Sequence, residues 1–337
     1  MNAVDVHGRF VWHELMTRDV PGAKKFYSKL VGWKPEAWAH DPNYTVNHSA
    51  EGPQSGFFTI PADMPADMPA HWVSYIGTRD VDGLADAAVR AGGSVVKAPE
   101  DIKGAGRYAV LRDPQGAIFA VLDPENSRPE REGMPPNGSF SWHELATSDH
   151  ESAFAFYSGL FGWDVLARHD MGPMGIYLIF GNGNIQRGGM FIKPAENPGP
   201  PAWLPYVSIP SVDDGHVTAQ SAGGRSLVPP QTVPGGSRIA QLLDPTGAAI
   251  AIHSMPAAAM PAAEPAAKPK APKAAKPKAK TKTKVKAKAK AKPKAKTAPK
   301  AKSRKAPKKK AAARKPAAKK RVSKSSKAKK STARRKK

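Results

Sequence analysis

Residues 8–33 read GRFVWHELMTRDVPGAKKFYSKLVGW, and residues 138–163 read GSFSWHELATSDHESAFAFYSGLFGW. The two stretches align without a gap at an offset of 130, and 15 of their 26 positions are identical. This spacing is far beyond the roughly 20–50 residue period of solenoid repeats, so it marks a duplicated domain. The duplication runs on through the chain. Trp72-Val-Ser-Tyr75 answers Trp203-Leu-Pro-Tyr206, and Ala91-Gly-Gly93 answers Ala222-Gly-Gly224. Gly106-Arg107 is echoed by Gly236-Ser-Arg238, and Asp113-Pro-Gln-Gly116 answers Asp244-Pro-Thr-Gly247, with the offset drifting to 131. The expected organisation is a first domain over residues 1–124, a linker over 125–137, a second domain over 138–255 and a tail over 256–337.

Local pattern gives each copy the same order of elements. Residues Phe10 to Thr17 mix aromatic and aliphatic side chains, which suits a strand. Asp19 or Thr17 can cap the helix that follows, with Pro21 in its first turn; Ala23, Phe26, Tyr27 and Leu30 recur at helical spacing, and Gly32 stops it. Short strands are expected at 44–47 and 56–60, then a strand from Trp72, a helix over 81–91, and a closing hairpin turned by Asp113-Pro-Gln-Gly116. Gly181-Asn-Gly-Asn184 reads as a hairpin turn in the second copy. Each copy therefore predicts two βαβββ units, an α+β class.

Charge divides the chain differently. The whole carries +25, yet residues 256–337 hold 34 Lys and Arg against one acid, Glu264. The first 255 residues have 19 basic and 27 acidic side chains, a net of −8. Cysteine is absent, which removes disulfides and thiolate chemistry. The start MNAVDVHGRF lacks the basic and apolar regions of a signal peptide, and no apolar run nears the roughly 18 residues that span a bilayer. No membrane contact and a cytoplasmic, nucleoid-associated location are the expectation.

The sequence W-H-E-L-x-T-x-D, then F-Y-x-x-L-x-G-W, A-G-G and D-P-x-G, over residues 8–124 and 138–254, resembles the vicinal oxygen chelate superfamily. That superfamily includes glyoxalase I, bleomycin-resistance proteins and extradiol dioxygenases. The resemblance implies two tandem domains, each a pair of βαβββ units forming a U-shaped mixed sheet around a pocket. It also implies places for metal ligands. Here those places hold Trp12 and Trp142 on the first strands, Val73 and Leu204 at the start of the second halves, and Ala120 and Ala251 on the last strands. None of them binds a metal.

The doubled His-Glu invites a ligand reading that strand geometry opposes. His13 and Glu14 are adjacent, so they point to opposite faces, as do His143 and Glu144. Three or four converging donors are needed for a divalent ion. No metal and no cofactor are expected. A metal-free pocket remains, lined in the first copy by Trp12, Glu14, Tyr44, Trp72 and Arg107, and in the second by Trp142, Glu144, Tyr177, Trp203 and Arg238. Glu14 and Glu144 are the candidate catalytic residues, since a carboxyl in an apolar cup can have a raised pKa and act as a general base. Arg107 and Arg238 are candidate partners for them. Beside this stands the plainer reading, in which Trp12, Phe26, Tyr27 and Trp33 are core and His13 is structural.

The tail, as in KPKAKTKTKVKAKAKAKPKAK, is Lys, Ala and Pro with no aromatic residue. Such a composition buries no core and is expected to be disordered. It resembles the C-terminal tail of linker histone H1. Lys284, Lys286, Lys288, Lys290, Lys308, Lys309, Lys310, Lys319, Lys320, Arg321, Arg334 and Arg335 are the expected contacts to DNA phosphates. Without a folded reading element, that binding would be non-specific. The sequence thus supports a small-molecule-binding protein held on DNA by its tail, with an unknown small molecule and DNA as partners and a homodimer left open. An active lyase or hydroxylase-like enzyme, and a nucleoid-associated structural protein, remain the alternatives.

Overall fold

In the computed structural model, residues 4–131, 133–197 and 199–255 are described. The repeated block is a strand, β1 (Phe10–Thr17), running into a helix, α1 (Val20–Leu30). Asp19 caps α1 by accepting from Gly22 N at 2.9 Å, and Thr17 accepts from the backbone N of Asp19 at 3.2 Å. Both expected capping residues therefore share the turn. Strands β2 (Lys34–Trp38), β3 (Asp41–Ser49) and β4 (Gly52–Thr59) complete the first unit. The second unit is β5 (His71–Gly77), α2 (Val81–Arg90), β6 (Ser94–Ile102), β7 (Gly106–Arg112) and β8 (Ile118–Pro124).

The second copy repeats this as β9 (Phe140–Thr147), α3 (His150–Phe161), β10 (Asp164–Asp170), β11 (Ile176–Asn182) and β12 (Ile185–Ile192). It closes with β13 (Ala202–Ser208), α4 (Val212–Ser221), β14 (Arg225–Thr232), β15 (Arg238–Leu243) and β16 (Ala249–Ser254). Gly183-Asn184 forms the two-residue turn between β11 and β12, with Gly183 at φ 53°. Sequence pattern missed β2 and β6, whose residues are largely exposed and carry little apolar alternation.

Each copy forms its own eight-stranded mixed sheet, in the order β2-β3-β4-β1-β5-β8-β7-β6 and its repeat β10-β11-β12-β9-β13-β16-β15-β14. The first strands lie at the centre. β1 is parallel to β4 and antiparallel to β5, placing Glu14 opposite Gly56 and Val73. Along β1 the alternation sends His13, Leu15 and Thr17 to one face and Trp12, Glu14 and Met16 to the other.

The first of these faces packs against the other copy. One core joins α2 and the outer face of β5, β7 and β8 to α3 and the outer face of the second sheet, through Leu84, Phe119, Phe156, Tyr157 and Phe180. A second core joins α1 to α4 in the same manner, through Phe26, Tyr27, Val212 and Ile250. Burying each such phenyl ring contributes about 1.5–3 kcal/mol. The glycines of the A-G-G motif make room for them. A Cβ on Gly224 would stand 2.9 Å from the Phe26 ring, and one on Gly93 would stand 3.2 Å from the Phe156 ring.

Polar contacts between the copies repeat as well. Trp72 Nε1 donates to the Tyr27 hydroxyl at 2.9 Å, which donates to Asp244 Oδ2 at 3.0 Å. Trp203 Nε1 donates to Tyr157 at 2.9 Å, which donates to Asp113 Oδ2 at 3.1 Å. Trp33 Nε1 donates to Gly138 O at 2.7 Å, and Trp163 Nε1 to Gly8 O at 2.8 Å. The F-Y, G-W and D-P-x-G signatures are thus the means by which one copy grips the other. Among the described residues no helix is long and apolar enough to cross a membrane.

Candidate functional site

The other face of each sheet forms a cup. In the first copy it carries an apolar floor of Val73, Tyr75, Tyr108, Ala120 and Leu122, with Trp12, Met16 and Val110 packed against it. In the second it carries Tyr206, Ile239 and Ala251, with Trp142, Leu204 and Val228. The first strand of each copy puts one glutamate in its cup, Glu14 and Glu144, because strand alternation from the tryptophan two residues earlier places it there.

Tyr44 of β3 reaches across β4 to meet this glutamate. It passes over Gly56, where any Cβ would overlap its hydroxyl; Tyr177 passes over Gly189 in the same way. Trp12 Nε1 donates to the Tyr44 hydroxyl at 2.9 Å, and Trp142 Nε1 to the Tyr177 hydroxyl at 2.9 Å. The tyrosine hydroxyl is thus fixed by the tryptophan and turned toward the carboxyl group.

The two carboxyl groups differ from there on. Glu144 is buried, at 9% exposure, and takes three hydrogen bonds: Tyr177 to Oε1 at 2.9 Å, and Tyr206 and Gln241 to Oε2 at 2.8 and 3.1 Å. Gln241 also donates to the Tyr206 hydroxyl at 3.0 Å, closing the network. Glu14 is partly exposed. Tyr75 donates to its Oε2 at 3.0 Å, and Tyr44 lies close enough to favour its ionised form. Burial pushes the Glu14 carboxyl up, against Tyr44, Tyr75 and the more distant Lys97 cation, which pull it down. Burial also pushes Glu144 up, against Tyr206, Tyr177 and Gln241.

Around Glu14 the first cup has polar groups that the second lacks. Lys97 on β6 lies opposite Val110, on the cup face, and Glu100 lies opposite Tyr108. Lys97 Nζ is 2.7 Å from Glu100 Oε1 and 5.2 Å above the centre of the Tyr108 ring, a cation–π distance. The Tyr108 hydroxyl donates to Glu100 at 2.7 Å, and burial pushes its pKa up to about 12. In the second copy Val228 lies opposite Gln241 and Gln231 opposite Ile239, so the lysine, the acid and the tyrosine are all replaced.

Sequence reasoning placed Trp12, Glu14 and Tyr44 together, with Trp142, Glu144 and Tyr177 as their equivalents, and the structure brings both sets together. Four other expected lining residues lie elsewhere. Trp72 and Trp203 are on the outer face, in the core between the copies, because register with β1 puts Val73 and Tyr75 in the cup. Arg107 and Arg238 also face outward. Arg107 pairs with Asp82 of α2 at 2.6 and 2.8 Å and with Asp101 at 3.2 Å, while Arg238 pairs with Asp213 of α4 at 2.7 and 2.6 Å. They neutralise helix acids rather than Glu14 or Glu144. Tyr75, Tyr206, Gln241, Lys97, Glu100 and Tyr108 were missed. The signal for Tyr75 and Tyr206 was present, since each sits three residues after the repeated tryptophan and so on the opposite face. The tail residues Lys284, Lys286, Lys288, Lys290, Lys308, Lys309, Lys310, Lys319, Lys320, Arg321, Arg334 and Arg335 lie outside the described residues.

The repeated histidines meet each other. His13 Nε2 and His143 Nε2 are 2.7 Å apart where the two copies join. His143 Nδ1 is 3.2 Å from Arg187 O, which can only accept, so Nδ1 carries the His143 proton. His143 Nε2 then accepts from His13. Each ring stacks on a phenylalanine of the other copy, His13 on Phe140 and His143 on Phe10, both at 3.5 Å. Burial holds both rings neutral, lowering His13 well below its ordinary value and pushing His143 down to about 3.

The donor sets do not fit a divalent metal. The cup positions beside Glu14 are Val73 and Gly56, and β8 offers Ala120. Among the described residues no three His, Cys, Asp or Glu converge. A cleft of about 260 Å³ also lies between the starts of β1 and β4 and residues 124–128, lined by Arg9, Gln54 and Arg128 among others and by neither glutamate. It is smaller than most small-molecule sites and has no carboxyl group to act on a ligand.

The sequence pattern of the glyoxalase/bleomycin resistance protein/dioxygenase superfamily matches residues 9–121 and again 139–252. The chain is 30% identical over 253 residues to "Putative glyoxylase CFP32" of Mycobacterium tuberculosis, covering 72% of this chain and 92% of that protein. It is 31% identical over 262 residues to the anthracycline biosynthesis protein DnrV of Streptomyces peucetius, covering 73% and 92%. Its fold is similar to that of the Mn(II)-bound glyoxalase from Novosphingobium aromaticivorans, with a TM-score of 0.53, 20% identity, and coverage of 74% of this chain and 82% of that one.

Proposed function

The chain belongs to the glyoxalase/bleomycin resistance protein/dioxygenase superfamily, and on that premise we propose that its folded body binds a small organic molecule in a cup without a metal ion, while the basic tail holds it on DNA. The observation that carries the first part is a protonatable carboxyl group set in an aromatic cup where the family's fold builds its pocket, with no three metal-ligating side chains converging among the described residues. Apolar walls with a few converging polar groups are what a ligand site needs. The raised pKa of Glu14 also favours a second reading, an enzyme that moves a proton to or from its ligand. A thermal-shift screen of hydroxylated organic molecules tests the binding. The expected result is a raised melting temperature that survives chelation of divalent ions, and a shift that needs the ion would contradict it.

The DNA reading rests on charge alone: 34 basic residues against one acid over residues 256–337. Each phosphate contact on duplex DNA adds about −0.9 to the slope of log affinity against log salt. A gel shift should show the full chain bound and residues 1–255 free, with binding falling steeply between about 50 and 200 mM salt. Equal behaviour of the two would refute it.

A further inference from the structure

The two cups share a fold and a central glutamate but not the surroundings of that glutamate. In the second, Gln241 fills the space beside the carboxyl group and, with Tyr206 and Tyr177, occupies both of its oxygens. In the first, Val110 stands at that place and has no hydrogen-bonding group to offer. Glu14 therefore has Tyr75 and the nearby Tyr44, where Glu144 has the equivalent pair and the Gln241 amide besides.

Three wall aromatics repeat, Trp142, Tyr177 and Phe191 answering Trp12, Tyr44 and Phe58, with Tyr177 and Phe191 6.0 Å apart between centres; the walls differ in Trp38 and in the polar cluster opposite it. Trp12, Trp38, Tyr44 and Phe58 of the first cup are all partly exposed. Their rings form a run, with Trp38 and Tyr44 at 5.6 Å and Tyr44 and Phe58 at 6.4 Å between centres. Strand β10 of the second copy reads DVLARHD and has no tryptophan. Facing this aromatic wall across the first cup is the Lys97–Glu100–Tyr108 cluster, replaced in the second copy by Val228, Gln231 and Ile239. A flat ring offers the best match to a wall of exposed aromatic faces. A hydroxyl on that ring is the group that can donate to the open side of a carboxylate or accept from its acid form.

We propose that the cups have divided their roles: the first binds a planar hydroxyaromatic molecule with a ring hydroxyl at Glu14, and the second, closed on Glu144 by Gln241, serves as structure. This rests on the reading that the body binds a small molecule. The second cup's network is that of a satisfied buried carboxyl group, which stabilises a fold only while every partner is present.

Calorimetric titration of the full chain with 2-naphthol, uncharged at neutral pH and so indifferent to the basic tail, tests the division. One site per chain is expected. Val110→Gln, which brings the second cup's amide to Glu14, should weaken it at least ten-fold, and Glu144→Gln should leave it within two-fold. Circular dichroism of each variant confirms that it is folded. Two sites of similar affinity, or loss with Glu144→Gln while Val110→Gln binds normally, would overturn the division and leave the small-molecule reading standing. No binding at all would overturn the hydroxyaromatic class.

Discussion

The two faces of each sheet have followed different courses since the duplication. On the outer face the principal contacts repeat: Trp72–Tyr27–Asp244 recurs as Trp203–Tyr157–Asp113, Trp33 and Trp163 each donate to the opposite glycine carbonyl, and His13 meets His143. On the inner face the glutamate is kept and its neighbours change, with Lys97, Tyr108 and Val110 against Val228, Ile239 and Gln241. The comparison teaches that the repeated signature encodes the grip between copies. A residue on the outer face touches its own counterpart's surroundings, so change there must be matched twice. An inner-face residue touches only its own cup and is free to diverge.

Breaking the outer-face symmetry should carry the largest cost. Trp72→Ala and Trp203→Ala each remove a buried ring and a link to the partner tyrosine, so each should destabilise by about 3–5 kcal/mol in urea unfolding. The two losses should agree, and a difference beyond two-fold would show that the grip is unequal.

The histidine pair comes next, through its pH dependence. His143, with a folded pKa of about 3, lies below the ordinary value near 6.5, and His13 is shifted the same way. Between those pH values the unfolded chain holds more protons, so their contribution is complete above about pH 6.5 and falls as the pH drops toward 3. Glu14 and Glu144 act with the opposite sign. Their raised folded pKa gives a contribution present below the ordinary carboxylate value and lost as the pH rises through the folded one. Replacing both histidines by phenylalanine should flatten the loss of unfolding free energy between pH 7 and 5, with about 2 kcal/mol of that loss belonging to His143.

Smaller effects are expected from the hydroxyls. Tyr27→Phe and Tyr157→Phe keep the packing but leave a tryptophan N–H and an aspartate unpaired, so each should cost about 1–3 kcal/mol. The smallest effect belongs to Arg107→Ala and Arg238→Ala. Their ion pairs with α2 and α4 are exposed, and no measurable change in unfolding or in ligand binding should follow. A loss of binding on Arg107→Ala would place that side chain in the cup after all.

Much of this was legible in the sequence. Strand alternation alone put Trp12 and Glu14 on one face and His13 on the other, and the duplication made that reading twice. Val73 and Ala120 stand where the resemblance implies metal donors, and register puts both on the cup face. What stayed hidden was register. Trp72 belongs in the core because β5 pairs antiparallel with β1 so that Val73 faces Glu14, and no pattern within β5 alone fixes that choice. Arg107 was drawn to Glu14 as the nearest conceivable countercharge, yet the helix acid Asp82 lies on its own side of the sheet. Lys97 and Glu100 belong to a strand with little apolar alternation, so nothing local marked them as facing a cup.

The unequal state of the two glutamates is the centre of this account, and it can be read without any ligand. Carbodiimide coupling of a small amine to the full chain near pH 6, followed by peptide mass mapping, reports which carboxyl groups are open to reagent. Glu14 should be modified at least ten times faster than Glu144. Equal rates, or faster modification of Glu144, would contradict the division of the cups.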